Sequence, residues 1–325
     1  MIESVGPAPK IVFLDRATLP TNMTFPALSF NHQWTDYPKT TKDQVVERLQ
    51  GATIAITNKV VLDRESLSQL PDLKLIVVAA TGFNNIDVSF CKEQGIAVTN
   101  VQGYSTPSVP EHVIAMMFAL KRNLKGYHND IVAGEWQRTD NFCFFTHPIS
   151  DVVGSTLGVI GAGEIGQATA KIAKALGMNI VFAERKGQKE CRAGYLPFEQ
   201  VIEISDVLTL HCPLNEQTRN IIGREELMAM KCSAILINTG RGGLVDEFAL
   251  VDALKQGDIA GAGVDVFTKE PPDTSNPLIA NMTLPNLLLT PHVAWGSESS
   301  FPKIAKILIG NITAFAQGRQ QNRIV

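Results

Sequence analysis

Thr156-Leu-Gly-Val-Ile-Gly-Ala-Gly-Glu-Ile-Gly166 decides the fold class. A short apolar run enters a turn with glycine at 161, 163 and 166. The residues that follow, 164–176, carry Ile165, Ala168, Ile172 and Leu176 at helical spacing. Gly177 is placed to end that helix. Another apolar run, 180–183, leads to Glu184, 18 positions after Gly166. Glycines in this pattern alone often mark only a tight turn. Strand, turn, helix, strand and acidic residue in this order are the context of a dinucleotide-phosphate cradle. Gly161 permits the turn, Gly163 lets backbone approach a pyrophosphate, and Gly166 lets helix and strand pack closely. Glu164 and Ile165 open the helix, whose free N–H groups face the phosphates. Glu184 suits ribose hydroxyls and repels a 2′-phosphate, which favours NAD. Arg185 and Lys186 follow at once and suit a 2′-phosphate, so NADP stays open.

The same alternation extends along the chain. Strands are expected at 11–14, 53–57, 75–80 and 97–100, then one long helix over 107–124, with Pro107 near its start and Pro110 in its first turn. After the glycine turn come strands at 180–183, 207–211, 234–238, 263–266 and 287–290. Helices fall between them, including 247–255, and a last helix covers 299–316. Short β-rich runs alternating with helices predict an α/β chain with two mainly parallel sheets. The linker candidates are the 107–124 helix and the stretch near His292.

Composition narrows the class. The chain has 325 residues, 45% hydrophobic and 19% charged, with a formal net charge of −3. This fits a globular protein of about two domains and offers no basic surface for nucleic acid or membrane. The first residues show no secretory signal pattern, and the apolar runs are too short to span a bilayer. Cys91, Cys143, Cys191, Cys212 and Cys232 are odd in number and far apart, which argues against a disulfide framework or a zinc site. A cytoplasmic chain with reduced cysteines and no metal is expected.

Further motifs stand in a fixed order: His211-Cys-Pro-Leu214, Ile237-Asn-Thr-Gly-Arg-Gly-Gly-Leu-Val-Asp-Glu247, Gly263-Val-Asp-Val-Phe-Thr-Lys-Glu-Pro-Pro272 and Leu289-Thr-Pro-His-Val-Ala-Trp295. With the glycine turn, they make the chain resemble the D-isomer-specific 2-hydroxyacid dehydrogenases over nearly its whole length. Ala80-Thr-Gly-Phe-Asn-Asn-Ile-Asp87 looks like that family's substrate loop. Glu135-Trp136, Asn141-Phe-Cys-Phe144 and the pairing of His292 with Trp295 look most like its glycerate dehydrogenase/hydroxypyruvate reductase branch. Gly240 departs from the family's usual Ala or Ser and is expected to loosen the loop it lies in.

The resemblance implies two Rossmann-like, doubly wound domains. The dinucleotide domain, 105–293, would be inserted in a flavodoxin-like substrate domain made of 1–104 and 294–325. It implies reduction of a small 2-oxo acid to the D-2-hydroxy acid, or the reverse. Arg241 would hold carboxylate and ketone oxygen in its fixed fork. His292 would be the acid/base, since imidazole exchanges a proton near neutral pH. Glu270 would orient that ring and favour its protonated form. Thr81 and Gly82 would bind the substrate carboxylate through backbone N–H groups. Phe83, Asn84 and Phe142 are candidates to shape the substrate pocket. Cys212, Pro213, Thr218, Thr239, Gly240, Arg241, Asp265 and His292 would line the cofactor. For Asp265 a structural cap is the competing reading, and Asn238 would sit near the nicotinamide or fix its loop. His112 and His211 read as structural or as weak cofactor neighbours. The family is usually dimeric, and 121–150 is the candidate dimerisation arm. Two other functions fit the same residues: an NAD(H)-sensing binding protein like the corepressors built on this fold, and another branch of the family such as D-lactate dehydrogenase.

Overall fold

The computed structural model describes residues 8–188 and 190–325. These divide into one unit reaching Tyr104 and resuming at Ser297, and a second unit spanning Ser105–Gly296.

In the first unit β1 (Lys10–Phe13), β2 (Gln33–Asp36), β3 (Ile54–Thr57), β4 (Leu75–Val78) and β5 (Ala97–Thr99) form a parallel sheet in the order β2-β1-β3-β4-β5. Helices α1 (Val45–Leu49), α2 (Arg64–Leu67) and α3 (Val88–Gln94) lie between its strands in the chain. β3 and β4 are buried at every position. Continuous apolar runs are what a parallel strand covered on both faces requires. β2 was not legible in this way. Its Gln33-Trp-Thr-Asp36 sits at the sheet edge with both ends exposed, so nothing selects an apolar run.

The second unit holds α4 (Ser108–Lys121), α5 (Leu124–Val132), α6 (Glu135–Thr139), β6 (Thr156–Ile160), α7 (Glu164–Ala175), β7 (Asn179–Ala183) and β8 (Tyr195–Leu196). Then come α8 (Phe198–Ile204), β9 (Val207–Leu210), α9 (Arg224–Ala229), β10 (Ile235–Asn238), α10 (Glu247–Gln256), β11 (Gly261–Val264), α11 (Pro277–Ala280) and β12 (Leu287–Leu289). The seven strands pair in parallel in the order β12-β11-β10-β9-β6-β7-β8. The order reverses between β6 and β9, and in open sheets of this kind ligands bind outside the carboxyl ends at that point.

Each face of this sheet has its own core. Leu208, Leu210, Leu236 and Val264 face α8, α9 and α10. Leu157, Val159, Val207, Ile235 and Ile237 face α4 and α7. The alternation along β9 and β10 is the period of two that a strand imposes.

Three expectations are corrected here. The helix expected over 107–124 ends at Lys121, because Asn123 adopts a left-handed backbone (φ 48°) before α5 begins. Nor is this helix a linker. Val113, Met116 and Met117 are buried in the second unit's core, each contributing about 1.5–3 kcal/mol of burial. β11 lets the helix come close, since a Cβ at Gly263 would stand 3.0 Å from Met116 Sδ. The strand expected at 263–266 runs Gly261–Val264 instead, which leaves Asp265 just beyond its carboxyl end.

The second unit also continues past 293. Ala294 is buried in its core, and the Trp295 indole donates to His292 O at 2.8 Å. The first unit's remaining helix, α12 (Ser300–Ala316), buries Ile304, Leu308 and Ile312. Its Asn311 amide donates to Asn100 O at 2.9 Å, and Ile324 N donates to Val98 O at 2.7 Å, so the chain's last residues lie along β5.

Candidate active site

The glycine turn at the end of β6 fits a dinucleotide. A Cβ at Gly166 would stand 2.1 Å from Gly161 O, so α7 can start this close to β6 only with glycine. Gly161 has φ 96° and lies against the backbone at 211–212, where a Cβ would be 2.5 Å from Cys212 N. A Cβ at Gly163 would meet nothing within 4 Å. That open space stands before the first N–H groups of a twelve-residue helix, the arrangement that receives phosphate oxygens. Thr239 adds a second sign. Its hydroxyl is buried beyond β10 and has no partner among the described residues, as a group left for a ligand would be. Glu164 is exposed and accepts from Thr106 Oγ1 at 2.6 Å, while Ile165 packs against the core beside α4.

Beyond β7, Glu184 is 5% exposed and already engaged. Arg192 Nε and Nη2 donate to its two oxygens at 2.7 and 2.8 Å. The backbone N–H groups of Arg185 and Arg192 add 2.9 and 3.1 Å bonds. These donors, the Arg192 side chain foremost, hold the carboxyl down to about 2. Arg192 lies eight residues from Glu184 with no motif to mark it, and sequence reasoning missed it. Lys186 instead pairs with Glu226 at 2.6 Å.

Two loops flank the cradle. In the first, Thr218 Oγ1 donates to Pro213 O at 2.6 Å and accepts from Asn215 N at 2.8 Å, so this hydroxyl closes its own loop. Burial pushes the Cys212 thiol up to about 11, leaving no thiolate for chemistry. Burial also pushes His211 down to about 4, and its Nε2 meets Thr209 Oγ1 at 3.0 Å. In the second loop, Gly240 N donates to Asn238 Oδ1 at 3.1 Å and Asn238 Nδ2 donates to Arg241 O at 3.0 Å. Asn238 therefore fixes the arginine loop from both sides, and the loosening expected from Gly240 is offset. Arg241 is half-buried, with Nη1 donating to Gly240 O at 2.8 Å. The next residue packs tightly: a Cβ at Gly242 would be 1.9 Å from Phe267 O. The arginine loop is thus pressed against the segment that leads to Glu270.

Glu270 and His292 are joined. His292 Nδ1 lies 2.7 Å from Glu270 Oε2, with each side chain about a quarter exposed. Glu270 Oε1 accepts from Phe267 N at 3.0 Å, which aims the carboxylate. His292 has φ 54°, a left-handed conformation that non-glycine residues hold only where neighbours enforce it. Asp265 enforces it. Its carbonyl accepts from His292 N at 2.7 Å, and its fully buried carboxylate accepts from Val293 N and Ala294 N at 2.9 Å each. Thr290 Oγ1 donates to the same carboxylate at 2.5 Å and meets His112 Nε2 at 3.0 Å. Asp265 is therefore built into the loop carrying His292. His112 and Thr290 join it, a link that 178 residues of separation between them hid from the sequence.

In the first unit Thr81 and Gly82 follow β4. Thr81 Oγ1 donates to Val101 O at 2.9 Å, and Asn100 Nδ2 donates to Thr81 O at 2.7 Å. The side chain and carbonyl are thereby fixed. Among the described residues no acceptor is paired with either N–H. Phe83 packs into this unit's core, whereas Phe142 is 93% exposed. Among the described residues no cluster of His, Cys, Asp or Glu could hold a metal ion.

A family model described as D-isomer specific 2-hydroxyacid dehydrogenase, NAD binding domain, matches residues 114–294. The chain belongs to this family. It is an NAD(P)-dependent oxidoreductase acting on D-2-hydroxy acids. It is 48% identical over 314 residues to the glycerate dehydrogenase of Methylorubrum extorquens, covering 96% of this chain and 98% of that one. A Haemophilus influenzae protein described as a 2-hydroxyacid dehydrogenase is 50% identical over 313 residues, 96% of this chain and 99% of that one. The NADPH-dependent glyoxylate/hydroxypyruvate reductase of Sinorhizobium meliloti, solved with NADP and malonate, has a TM-score of 0.80 at 27% identity, covering 98% and 97% of the two chains. Among the described residues no helix is long and apolar enough to cross a membrane.

Proposed function

We propose that this enzyme reduces hydroxypyruvate and glyoxylate to D-glycerate and glycolate, with Arg241 holding the substrate and His292, oriented by Glu270, supplying the proton. The observation that carries the reading is the 2.7 Å contact of His292 Nδ1 with Glu270 Oε2, on a loop whose backbone Asp265 locks. The choice of substrate rests on the relatives named glycerate dehydrogenase and hydroxypyruvate reductase.

The dinucleotide supplies the hydride when bound. Gly161, Gly163, Gly166, Glu164 and Ile165 would cradle its pyrophosphate, with Glu184 towards the adenosine. Cys212, Pro213, Thr239, Gly240 and Asp265 would border the nicotinamide end, and Thr218 would shape the loop there. Arg241 binds the substrate's carboxylate and ketone oxygen through its planar fork and carries positive charge to the oxygen that becomes negative. In the other unit, the N–H groups of Thr81 and Gly82 are donors of the kind a carboxylate takes. His292, with Nδ1–H given to Glu270, donates the proton on Nε2 to the developing alkoxide. The hydroxy acid leaves, and the neutral ring regains its proton from solvent. Oxidation runs the same steps backwards, with His292 as base.

On this reading the unit of 8–104 and 297–325 is the substrate domain and 105–296 the dinucleotide domain. The protein works in the cytoplasm, which suits five cysteines with no disulfide. It pairs with a second copy through the arm at 121–150, where Val132, Phe142 and Phe145 stand exposed. The test is hydroxypyruvate-dependent NADH oxidation by the wild-type chain and by His292→Ala. Activity that survives the substitution would remove the assignment.

A further inference from the structure

The acidic residue that ends β7 is expected to accept the adenine-ribose hydroxyls and exclude a 2′-phosphate. An ionised carboxylate offers about four lone-pair sites. In this chain all four are filled. Glu184 Oε1 accepts from Arg185 N and Arg192 Nη2, and Oε2 from Arg192 N and Arg192 Nε. A ribose diol can bind Glu184 only by displacing one of them. Removing the guanidinium from a carboxylate that is 5% exposed would leave a desolvated charge unpaired.

The electrostatic consequence points the same way. A bare Glu184 would repel a phosphate dianion, but the Glu184–Arg192 pair has no net charge. A guanidinium has five N–H donors, and the contacts to Glu184 use Nε and one hydrogen of Nη2. Three donors remain, on a side chain 56% exposed that lies 3.9 Å from the Tyr195 ring centre. Arg185 beside it is exposed and makes no ion pair among the described residues. Among the described residues, Lys186 nearby is held by Glu226 and stands 5.6 Å from the Phe198 ring.

We propose that Arg192 is the residue that sets cofactor selection: by occupying Glu184 it opens the adenosine end of the site to a 2′-phosphate, and its remaining N–H groups are the phosphate's ligands. The enzyme then uses NADPH as well as NADH, although an acidic residue stands where NAD-specific sites carry theirs.

The test is equilibrium binding of NADH and NADPH, without substrate, followed by the fluorescence of the bound dinucleotide. The wild-type chain is expected to hold the two within about tenfold of each other. Arg192→Ala frees the carboxylate and removes the phosphate ligand. The NADPH-to-NADH ratio of dissociation constants should then rise by about tenfold or more. Glu184→Gln keeps the guanidinium and removes the opposing charge, so the ratio should fall. This second variant carries the test if Arg192→Ala does not fold. A wild-type chain that rejects NADPH by about a hundredfold or more would overturn the proposal. So would an Arg192→Ala ratio equal to the wild type's, a Glu184→Gln ratio that does not fall, or a ratio that moves with Arg185→Ala and not with Arg192→Ala.

Discussion

His292 Nδ1 and Glu270 Oε2 meet at 2.7 Å although 22 residues separate them in the chain. The contact fixes which ring nitrogen is free for a substrate. His292→Ala should therefore lower turnover by about a hundredfold to ten-thousandfold, the range a positioned acid/base supplies. The dissociation constant for NADH should stay near the wild-type value. Single-turnover kinetics alongside a binding titration separates the two. A proportional loss of NADH binding would mean that the histidine holds the cofactor instead.

The Asp265 carboxylate holds the His292 loop through Val293 N and Ala294 N, and Thr290 and His112 complete the set. Thr290→Val keeps the shape and removes both hydrogen bonds of the hydroxyl, to Asp265 and to His112. It should cost about 1–3 kcal/mol of stability and lower kcat while leaving KM for NADH unchanged. An unaltered kcat in a variant with the expected loss of stability would show that the network supports only the fold.

These two groups of residues show how far the sequence could be read. Gly161 to Gly166, Arg241, Glu270 and His292 lie in segments whose spacing is dictated by local geometry: a strand end, a turn, a helix start. Such segments carry their signature in consecutive letters. Arg192 and His112 act through side chains brought to their partners by tertiary packing, and single residues outside the motifs leave no periodic or motif signal. The same distinction separates β3 and β4, buried on both faces and plain in the sequence, from the edge strand β2 and the two-residue β8. Asn123 shows the remaining difficulty. One residue with a left-handed backbone ended a helix whose apolar pattern continues beyond it.

Two glycines of the arginine loop should respond oppositely to alanine. A Cβ at Gly240 would stand 3.0 Å from Leu210 O and 3.3 Å from Leu244 Cδ1, a crowding that a shift of a few tenths of an ångström relieves. Gly240→Ala should keep activity and change stability by no more than about 1 kcal/mol. A Cβ at Gly242 would overlap the Phe267 carbonyl at 1.9 Å. Gly242→Ala should cost about 3 kcal/mol or more and lose activity as the Arg241 loop is pushed from the Glu270 segment. Urea unfolding and turnover measured on both variants decide it, and equal effects would contradict the packing described.

His211 predicts an acid limb in stability. An unfolded histidine titrates near about 6.5, and burial takes the folded residue down to about 4. Between those values the unfolded chain binds the proton and the folded chain does not. Stability therefore rises with pH there, and is lost as the pH falls from about 6.5 towards about 4. His211→Asn should flatten the fall in urea midpoint across this window. A slope identical to the wild type's would assign the acid limb to other groups.

The exposed apolar residues of the 121–150 arm predict a pair of chains in solution. Sedimentation equilibrium should give the mass of two chains, and Phe142→Asp with Phe145→Asp should shift it towards one. A clean single-chain mass for the wild type at working concentration would remove the arm from this role.

The most direct test of the central claim is the rate of NADH and NADPH oxidation with hydroxypyruvate, glyoxylate and pyruvate supplied in parallel. The account predicts turnover that is fastest on hydroxypyruvate or glyoxylate and yields the D-isomer of glycerate. No turnover on any of the three acids, by a chain shown to bind the dinucleotide, would contradict it and leave a dinucleotide-sensing role as the better description.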